Sequence, residues 1–343
     1  MKAWQIQRIG PIRMDSPPLR PAELPIPSPR PGEVRLRVSA CGVCHTELDE
    51  IEGRTAPPRL PVVPGHQIVG VVDAVGPGAD RGLVGRRVGV AWIASACGRC
   101  ARCREGRENL CPEFRATGRD VDGGYAAFAV ARADFVYPLP DSVSDLEAAP
   151  LLCAGAIGWR SLRLAELNDG QVLGLTGFGA SAHLVLRLAR ARWPRSPVFV
   201  FARSEREREF ARSLGATWAG DTSDTPPAPP DRIIDTTPAW RPVVTALRVL
   251  APGGRLVVNA IRKEDADRSA IAELDYPRDL WMEKQIVSVA NVTRADVRNF
   301  LQIAAEIGLR PEVEVYPFAD ANRALLDLHQ RQVRGAKVLA VAD

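Results

Sequence analysis

Four cysteines crowd into the run Cys97-Gly98-Arg99-Cys100-Ala101-Arg102-Cys103 and Cys111, with two, two and seven residues between successive members. Four thiolates on one short stretch can surround Zn²⁺ tetrahedrally at about 2.3 Å each, which leaves no open position for chemistry. Such a closed site staples a loop that has little core of its own. The segment around 95–113 is therefore expected to be a structural zinc lobe held by Cys97, Cys100, Cys103 and Cys111. The alternative is four free or adventitiously oxidised thiols. Seven cysteines in all, an odd number, with no export signal at the start, argue for metal ligation in a reducing compartment over a disulfide framework.

A chain of 343 residues suggests about two domains. With 46% hydrophobic and 25% charged residues it reads as globular and not as a disordered chain. No run of about 18 apolar residues is present, so no membrane span is expected. The opening Met1-Lys2-Ala3-Trp4-Gln5-Ile6 reads as a short strand and not as a signal peptide, and a cytoplasmic protein is the expectation. Net charge is +4, and the densest charge run, Arg203-Ser204-Glu205-Arg206-Glu207-Arg208-Glu209, mixes both signs on a helix start. That is a solvated face, and no nucleic-acid partner is expected.

Two textures divide the chain. Up to about residue 150, short β-branched runs such as Val34-Arg35-Leu36-Arg37-Val38, Ile68-Val69-Gly70-Val71-Val72 and Arg87-Val88-Gly89-Val90 alternate with Pro and Gly, as in an all-β barrel-like unit. Strands then alternate with helices: a strand at 171–175, a helix over 181–192, strands at 198–201 and 232–235, and another at 253–258. This pattern implies a parallel sheet with right-handed crossovers. Pro226, Pro227, Pro229 and Pro230 mark a surface connection within this part. From about 293 the order becomes helix, strand, helix and a final strand at 336–339.

The run Gly174-Leu175-Thr176-Gly177-Phe178-Gly179 follows a strand and opens a helix. A turn of this kind lets the backbone approach a pyrophosphate at the positive helix N-terminus. Its usual second glycine is replaced by Thr176, so the dinucleotide fingerprint is imperfect. Outside the cysteine cluster, Cys41, Cys44 and Cys153 remain, with four histidines, among them His45 and His66. A catalytic zinc takes three protein ligands and keeps one position open. Spacing alone does not group such distant residues, and singly each is more often packed than ligating.

Taken together, Cys41-Gly42-Val43-Cys44-His45-Thr46-Glu47, Pro64-Gly65-His66-Gln67, the four-cysteine lobe, Leu152-Cys153-Ala154-Gly155 and the glycine turn resemble the zinc-dependent medium-chain alcohol dehydrogenases. The bacterial branch similar to cinnamyl alcohol dehydrogenases is the nearest in pattern. The resemblance implies an α/β plus β architecture, with a GroES-like β-barrel catalytic domain (1–152 and 293–343) and a Rossmann dinucleotide-binding domain (153–292). It implies Cys44, His66 and Cys153 as catalytic zinc ligands, Thr46 as the hydroxyl that hydrogen-bonds the alcohol oxygen, and Glu47 as the acid that orients the ligand histidine. His45 would face the cofactor phosphates, and Trp92 and Ile93 would line the substrate pocket, although plain core packing is an equal reading of both.

Two positions depart from the family pattern. Gln67 stands where a Glu usually sits near the metal, and Asp49 stands where many relatives carry the histidine that ends the proton relay. A carboxylate is a poorer proton shuttle near neutrality than imidazole.

As the family pattern aligns, the position that reads the adenosine ribose is Ala202, followed by Arg203 and Ser204. No carboxylate is available there for a free 2′-hydroxyl, and a guanidinium is adjacent, so NADP(H) is favoured over NAD(H). Alternatively Arg203 pairs with Glu207 on the helix surface. The expected activity is hydride transfer between a nicotinamide cofactor and a primary, allylic or aromatic alcohol–aldehyde pair, with two Zn²⁺ per chain and a homodimer or homotetramer as the assembly. The competing readings are a zinc-independent quinone or enoyl reductase of the same superfamily and a non-catalytic dinucleotide sensor.

Overall fold

The structure, a computed structural model, describes residues 1–330 and 334–341. It divides into two compact units, Met1–Ala156 with Asn291–Asp343, and Ile157–Ala290.

In the first unit the long strand Glu33–Val43 is the axis. It pairs antiparallel with Ile68–Val75, Phe128–Arg132 and Ala336–Ala340. Alternation explains its first half: Val34, Leu36, Val38 and Ala40 are buried, whereas Arg35 and Arg37 point away from the core. Register shifts against Ile68–Val75 at Arg35/Leu36 and Val38/Ala40 then bend the strand, and its last residues, Cys41 to Val43, are buried without alternation. Arg87–Val90, Val136–Pro138 and the parallel pair Val313–Pro317/Ala336–Ala340 complete a seven-stranded sheet. A separate two-stranded ladder, Ile93–Ser95 with Arg115–Ala116, brackets the cysteine-rich lobe.

The second unit is one parallel sheet of six strands. Their spatial order is Trp218–Gly220, Val198–Phe201, Leu173–Thr176, Arg232–Asp235, Arg255–Val258, Gln285–Ser288. Sequence order reverses between Leu173–Thr176 and Arg232–Asp235, as in doubly wound dinucleotide-binding folds, whose ligands sit beyond the carboxyl ends of the strands at that switch. Two of the six strands escaped the sequence reading. Trp218–Gly220 is three residues long and ends on glycine, and Gln285–Ser288 is a largely exposed four-residue edge whose two apolar residues, Ile286 and Val287, are adjacent and show no alternation.

The helix Ala180–Arg192 carries one titratable group into the core. His183 is fully buried, with its ring 6.1 Å from that of Phe210 and Nδ1 3.2 Å from the carbonyl of Gly179. Burial holds its imidazole down to about 4 against an ordinary 6.5. The unfolded chain thus takes up this proton at higher pH than the folded one. The stability gained from neutral His183 is complete above about pH 6.5 and is lost as pH falls toward 4. A shift of this size corresponds to roughly 3 kcal/mol. Urea midpoints measured from pH 7 to pH 4 should therefore fall less steeply in a His183→Leu variant than in the unmodified chain.

Candidate active site

Among the described residues two groups of side chains gather their donor atoms within 4.8 Å of one another, and both belong to the first unit. The first comprises Cys97, Cys100, Cys103 and Cys111. Cys97 Sγ and Cys103 Sγ are 3.9 Å apart, far beyond the roughly 2.05 Å of a disulfide, and all four thiols are free. Backbone amides aim at the sulfurs: Cys100 N–H donates to Cys97 Sγ at 3.3 Å, and Cys97 and Glu113 N–H donate to Cys111 Sγ at 3.4 and 3.3 Å. Such donors favour the thiolate, and the amides of Arg99 and Cys100 hold Cys97 down to about 6. The lobe is tied to the helix Arg294–Glu306 by Arg294, whose Nε and backbone N–H both donate to Glu108 Oε1, at 3.0 and 2.8 Å. Four sulfurs gathered in this way suit a closed tetrahedral Zn²⁺.

The second group unites Cys44, His66 and Cys153 from three separate segments. Cys44 lies between the strand Glu33–Val43 and the short helix His45–Ile51, and His66 precedes the strand Ile68–Val75. Cys153 sits in a single π-helical turn, Leu151–Gly155, that follows directly on Pro150. π-turns of this kind occur often at functional positions.

One fully buried carboxylate braces the group. Glu47 Oε2 accepts the backbone N–H of Cys44 at 2.8 Å, and Oε1 accepts from Nδ1 of His66 at 2.6 Å. Nε2 of His66 is thereby left as the donor atom and lies 3.2 Å from Cys153 Sγ. Gly65 makes the approach possible. Its φ is +98°, and a Cβ there would stand 2.9 Å from Cys41 Sγ and run into the Tyr125 ring.

The charges follow from this packing. The hydrogen bond from Cys153 pushes the Cys44 thiol well below its ordinary range. Burial alone would lower His66, but Glu47 and Cys44 outweigh it and raise the imidazole. Burial raises the Glu47 carboxyl. Two sulfurs and one imidazole, one donor short of a tetrahedral set, suit catalytic Zn²⁺.

The neighbouring residues divide by what they touch. Thr46 Oγ1 lies 3.6 Å from Cys44 Sγ, so a hydroxyl stands beside the donor group, and His45 is exposed. Asp49 is engaged by Arg54, whose Nε donates to Oδ1 at 2.5 Å. Gln67 is buried and packs on Gly42, whose N–H donates to the Gln67 carbonyl. Trp92 presents its ring edge-on to His66 at 6.4 Å and touches Phe114 at 5.5 Å. Ile93 is fully enclosed in the core and pairs with Ala116. Cys41 belongs to neither group and is buried, with its thiol pushed up by that burial.

In the second unit the glycine run separates into two parts. Gly174 is inside the strand Leu173–Thr176, where a Cβ would stand 3.0 Å from Ile233 Cγ1. Gly177 to Gly179 form the turn into the helix Ala180–Arg192. Gly177 has φ +79°, and a Cβ there would stand 2.9 Å from Thr237 and 3.0 Å from Thr236. Phe178 turns inward and packs its ring on Phe210 at 5.5 Å. Thr176 Oγ1 donates to the buried Asp235 at 2.5 Å, so this hydroxyl points below the turn.

At the end of the next strand Ala202 is buried and Arg203 is exposed. Ser204 caps the following helix: its hydroxyl accepts from Glu207 N–H at 3.2 Å and donates to Glu207 Oε2 at 2.9 Å. Glu207 therefore serves the cap and not Arg203. The S-x-x-E pattern at 204–207 was the signal for this cap. Sequence reasoning also passed over Asp235 and Lys263, an ion pair beneath the turn.

Residues 30–141 match the family model of the alcohol dehydrogenase GroES-like domain. A probable alcohol dehydrogenase of Mycobacterium tuberculosis is 43% identical over 346 residues, which cover 99% of this chain and 97% of that protein. A probable cinnamyl alcohol dehydrogenase of rice, Oryza sativa subsp. japonica, is 34% identical over 90% of this chain and 88% of its own length. A solved cinnamyl alcohol dehydrogenase from Sorghum bicolor superposes with a TM-score of 0.85 at 30% identity, covering 99% of this chain and 97% of that one.

Glu47→Gln keeps the shape of the brace but removes its charge. Loss of such an outer partner typically weakens metal affinity by about 10–100-fold. Chelator competition on the purified variant should show that loss for one metal per chain, with the metal of the four-cysteine lobe retained.

Proposed function

The chain belongs to the alcohol dehydrogenase family that carries a GroES-like domain, and from that membership we propose that it is a zinc-dependent alcohol dehydrogenase or aldehyde reductase using a nicotinamide dinucleotide. The observation that carries the reading is the three-donor group Cys44, His66 and Cys153 with a hydroxyl, Thr46 Oγ1, beside it. A quinone or enoyl reductase without catalytic zinc would have no use for that set.

The chain's own residues divide the work. Cys44 and Cys153 supply two sulfur donors, and His66 supplies Nε2 because Glu47 holds the proton at Nδ1. Zn²⁺ bound there supplies a Lewis acid that polarises an aldehyde carbonyl or brings an alcohol's pKa toward neutrality. Thr46 Oγ1 accepts the alcohol proton as its own hydroxyl proton moves on to solvent water. Asp49 is held by Arg54 and is left out of that path. Trp92 offers an aromatic wall beside His66, which suits a medium-sized apolar, allylic or aromatic alcohol. The turn at Gly177 and the start of the helix Ala180–Arg192 offer a helix N-terminus for the cofactor pyrophosphate, and the nicotinamide carries the hydride.

Among the described residues no helix is long and apolar enough to cross a membrane. Seven free thiols suit a reducing compartment such as the cytoplasm. The edge strand Gln285–Ser288, with Ile286 46% exposed and Trp281, just before the strand, 57% exposed, offers an apolar border for pairing two copies into a dimer or tetramer.

The two sulfur groups should fail differently. Cys153→Ser strips a donor from the open group and is expected to lower kcat by at least about 100-fold with little change in melting temperature. Cys103→Ser opens the staple and is expected to lower the melting temperature first. Steady-state rates and thermal melts on both variants separate the roles.

We read the cofactor as NADP(H). Ala202 brings no anion to repel a 2′-phosphate, and exposed Arg203 is free to meet one. A charge-assisted hydrogen bond contributes about 1.5–3 kcal/mol, or roughly 10–100-fold in affinity. Arg203→Ala should raise KM for NADPH by that factor and leave KM for NADH unchanged, and Ala202→Asp should reverse the preference. A higher kcat/KM with NADH than with NADPH in the unmodified enzyme would sink the assignment.

A further inference from the structure

Directly beneath the glycine turn, at the topological switch of the parallel sheet, lies a fully buried carboxylate. Asp235 ends the strand Arg232–Asp235 and has no exposed surface. Its Oδ1 accepts from Thr176 Oγ1 at 2.5 Å, from Thr237 Oγ1 at 2.8 Å and from Thr237 N–H at 3.3 Å. Its Oδ2 is paired with Lys263 Nζ, which also donates to the carbonyl of Thr237 at 2.6 Å. The Lys263 side chain is only 8% exposed. Lysine is scarce in this chain, at Lys2, Lys263, Lys284 and Lys337 alone, so arginine is the ordinary cation and this position is an exception.

The carboxylate does structural work. Through Thr176 it holds the last residue before the turn, and through Thr237 it holds the residue that a Cβ on Gly177 would strike at 2.9 Å. Thr236 adds two bonds to the Thr176 carbonyl, from N–H and Oγ1, both at 3.0 Å. The ends of Leu173–Thr176 and Arg232–Asp235 are thereby locked together at the place where a doubly wound sheet binds its ligand. Electrostatically the choice is awkward, because that ligand carries a pyrophosphate and an unpaired buried carboxylate below it would repel it. A buried charge is tolerated only when paired.

We infer that Lys263 is the counter-ion that lets Asp235 organise the glycine turn without repelling the cofactor's pyrophosphate, and so tunes dinucleotide affinity from beneath the site without touching the ligand. This rests on the reading that the dinucleotide is bound at that turn. Lys263 is a positioning and neutralising residue here. A methionine of similar length would fill its space, and Asp235→Asn would keep most of the hydrogen bonds.

The test is a double-mutant cycle read as the Kd for NADPH and for NADH, from the change in nucleotide fluorescence on titration into the zinc-loaded enzyme. K263M is expected to weaken both cofactors by about ten-fold or more. D235N is expected to bind as the unmodified enzyme does, or more tightly. The D235N/K263M pair, with neither charge, is expected to return to within about three-fold of the unmodified Kd. Circular dichroism establishes which variants fold.

A folded K263M with unmodified Kd overturns the inference. So does a folded double variant that binds as weakly as K263M, which would make Lys263 itself a contact of the cofactor. If K263M does not fold, the folded double variant decides by the same criterion. If the double variant also fails to fold, the pair is a folding element and the inference falls. No binding of either nucleotide to the unmodified enzyme would instead remove the cofactor from this turn altogether.

Discussion

Glu47 bonds to two members of the three-donor group. One of its oxygens accepts the backbone N–H at Cys44, where the long strand ends and the short helix begins, and the other accepts from His66 on the next strand's approach. A carboxylate with no solvent exposure is costly unless its oxygens are satisfied by hydrogen bonds. Satisfying them forces the two segments into one geometry. The ring of His66 is then fixed in orientation and tautomer, Nε2 faces Cys153 Sγ at 3.2 Å, and the third segment closes the group through its π-turn. Gly65, Cys41 and Tyr125 pack behind the histidine so tightly that no side chain fits at position 65. The donor group is thus held in place by groups that do not themselves ligate.

The legibility of these features in the sequence follows the range of the contacts that make them. The four-cysteine lobe is local, so its spacing reveals it, and its sulfurs do gather. The alternation in Val34 to Val38 and the strand–helix rhythm after residue 170 likewise state their own elements. Cys44, His66 and Cys153 lie in three segments brought together by tertiary packing, and only the resemblance to a family groups them beforehand. The strand Trp218–Gly220 is too short to show a period, and Gln285–Ser288 is a four-residue edge whose adjacent Ile286 and Val287 give no alternation to read. Asp235 and Lys263 meet across 28 residues with no pattern between them, so nothing in the sequence announces the pair.

The two units handle charge by a shared logic. In each, a buried carboxylate sets the backbone geometry, and a positively charged or proton-bearing partner keeps it from disturbing the chemistry above it. Glu47 has His66, and Asp235 has Lys263. The helix that follows Ala202 shows the contrasting case: Ser204 and Glu207 form a cap at the surface, and Arg203 stays exposed. A hydroxyl whose proton already goes to a neighbouring carboxylate is a poor donor for a ligand, and a free guanidinium is a good one. This distinction, invisible in the run Ala202-Arg203-Ser204, narrows the cofactor reading to one side chain.

The central claim is that the first unit holds one closed and one open zinc site, distinguished by donor number alone. Metal analysis of the purified chain by mass spectrometry, referenced to protein concentration, tests it most directly. Two zinc ions per chain are expected, both released only under denaturing or strongly chelating conditions. A single zinc per chain, or none, would contradict the account.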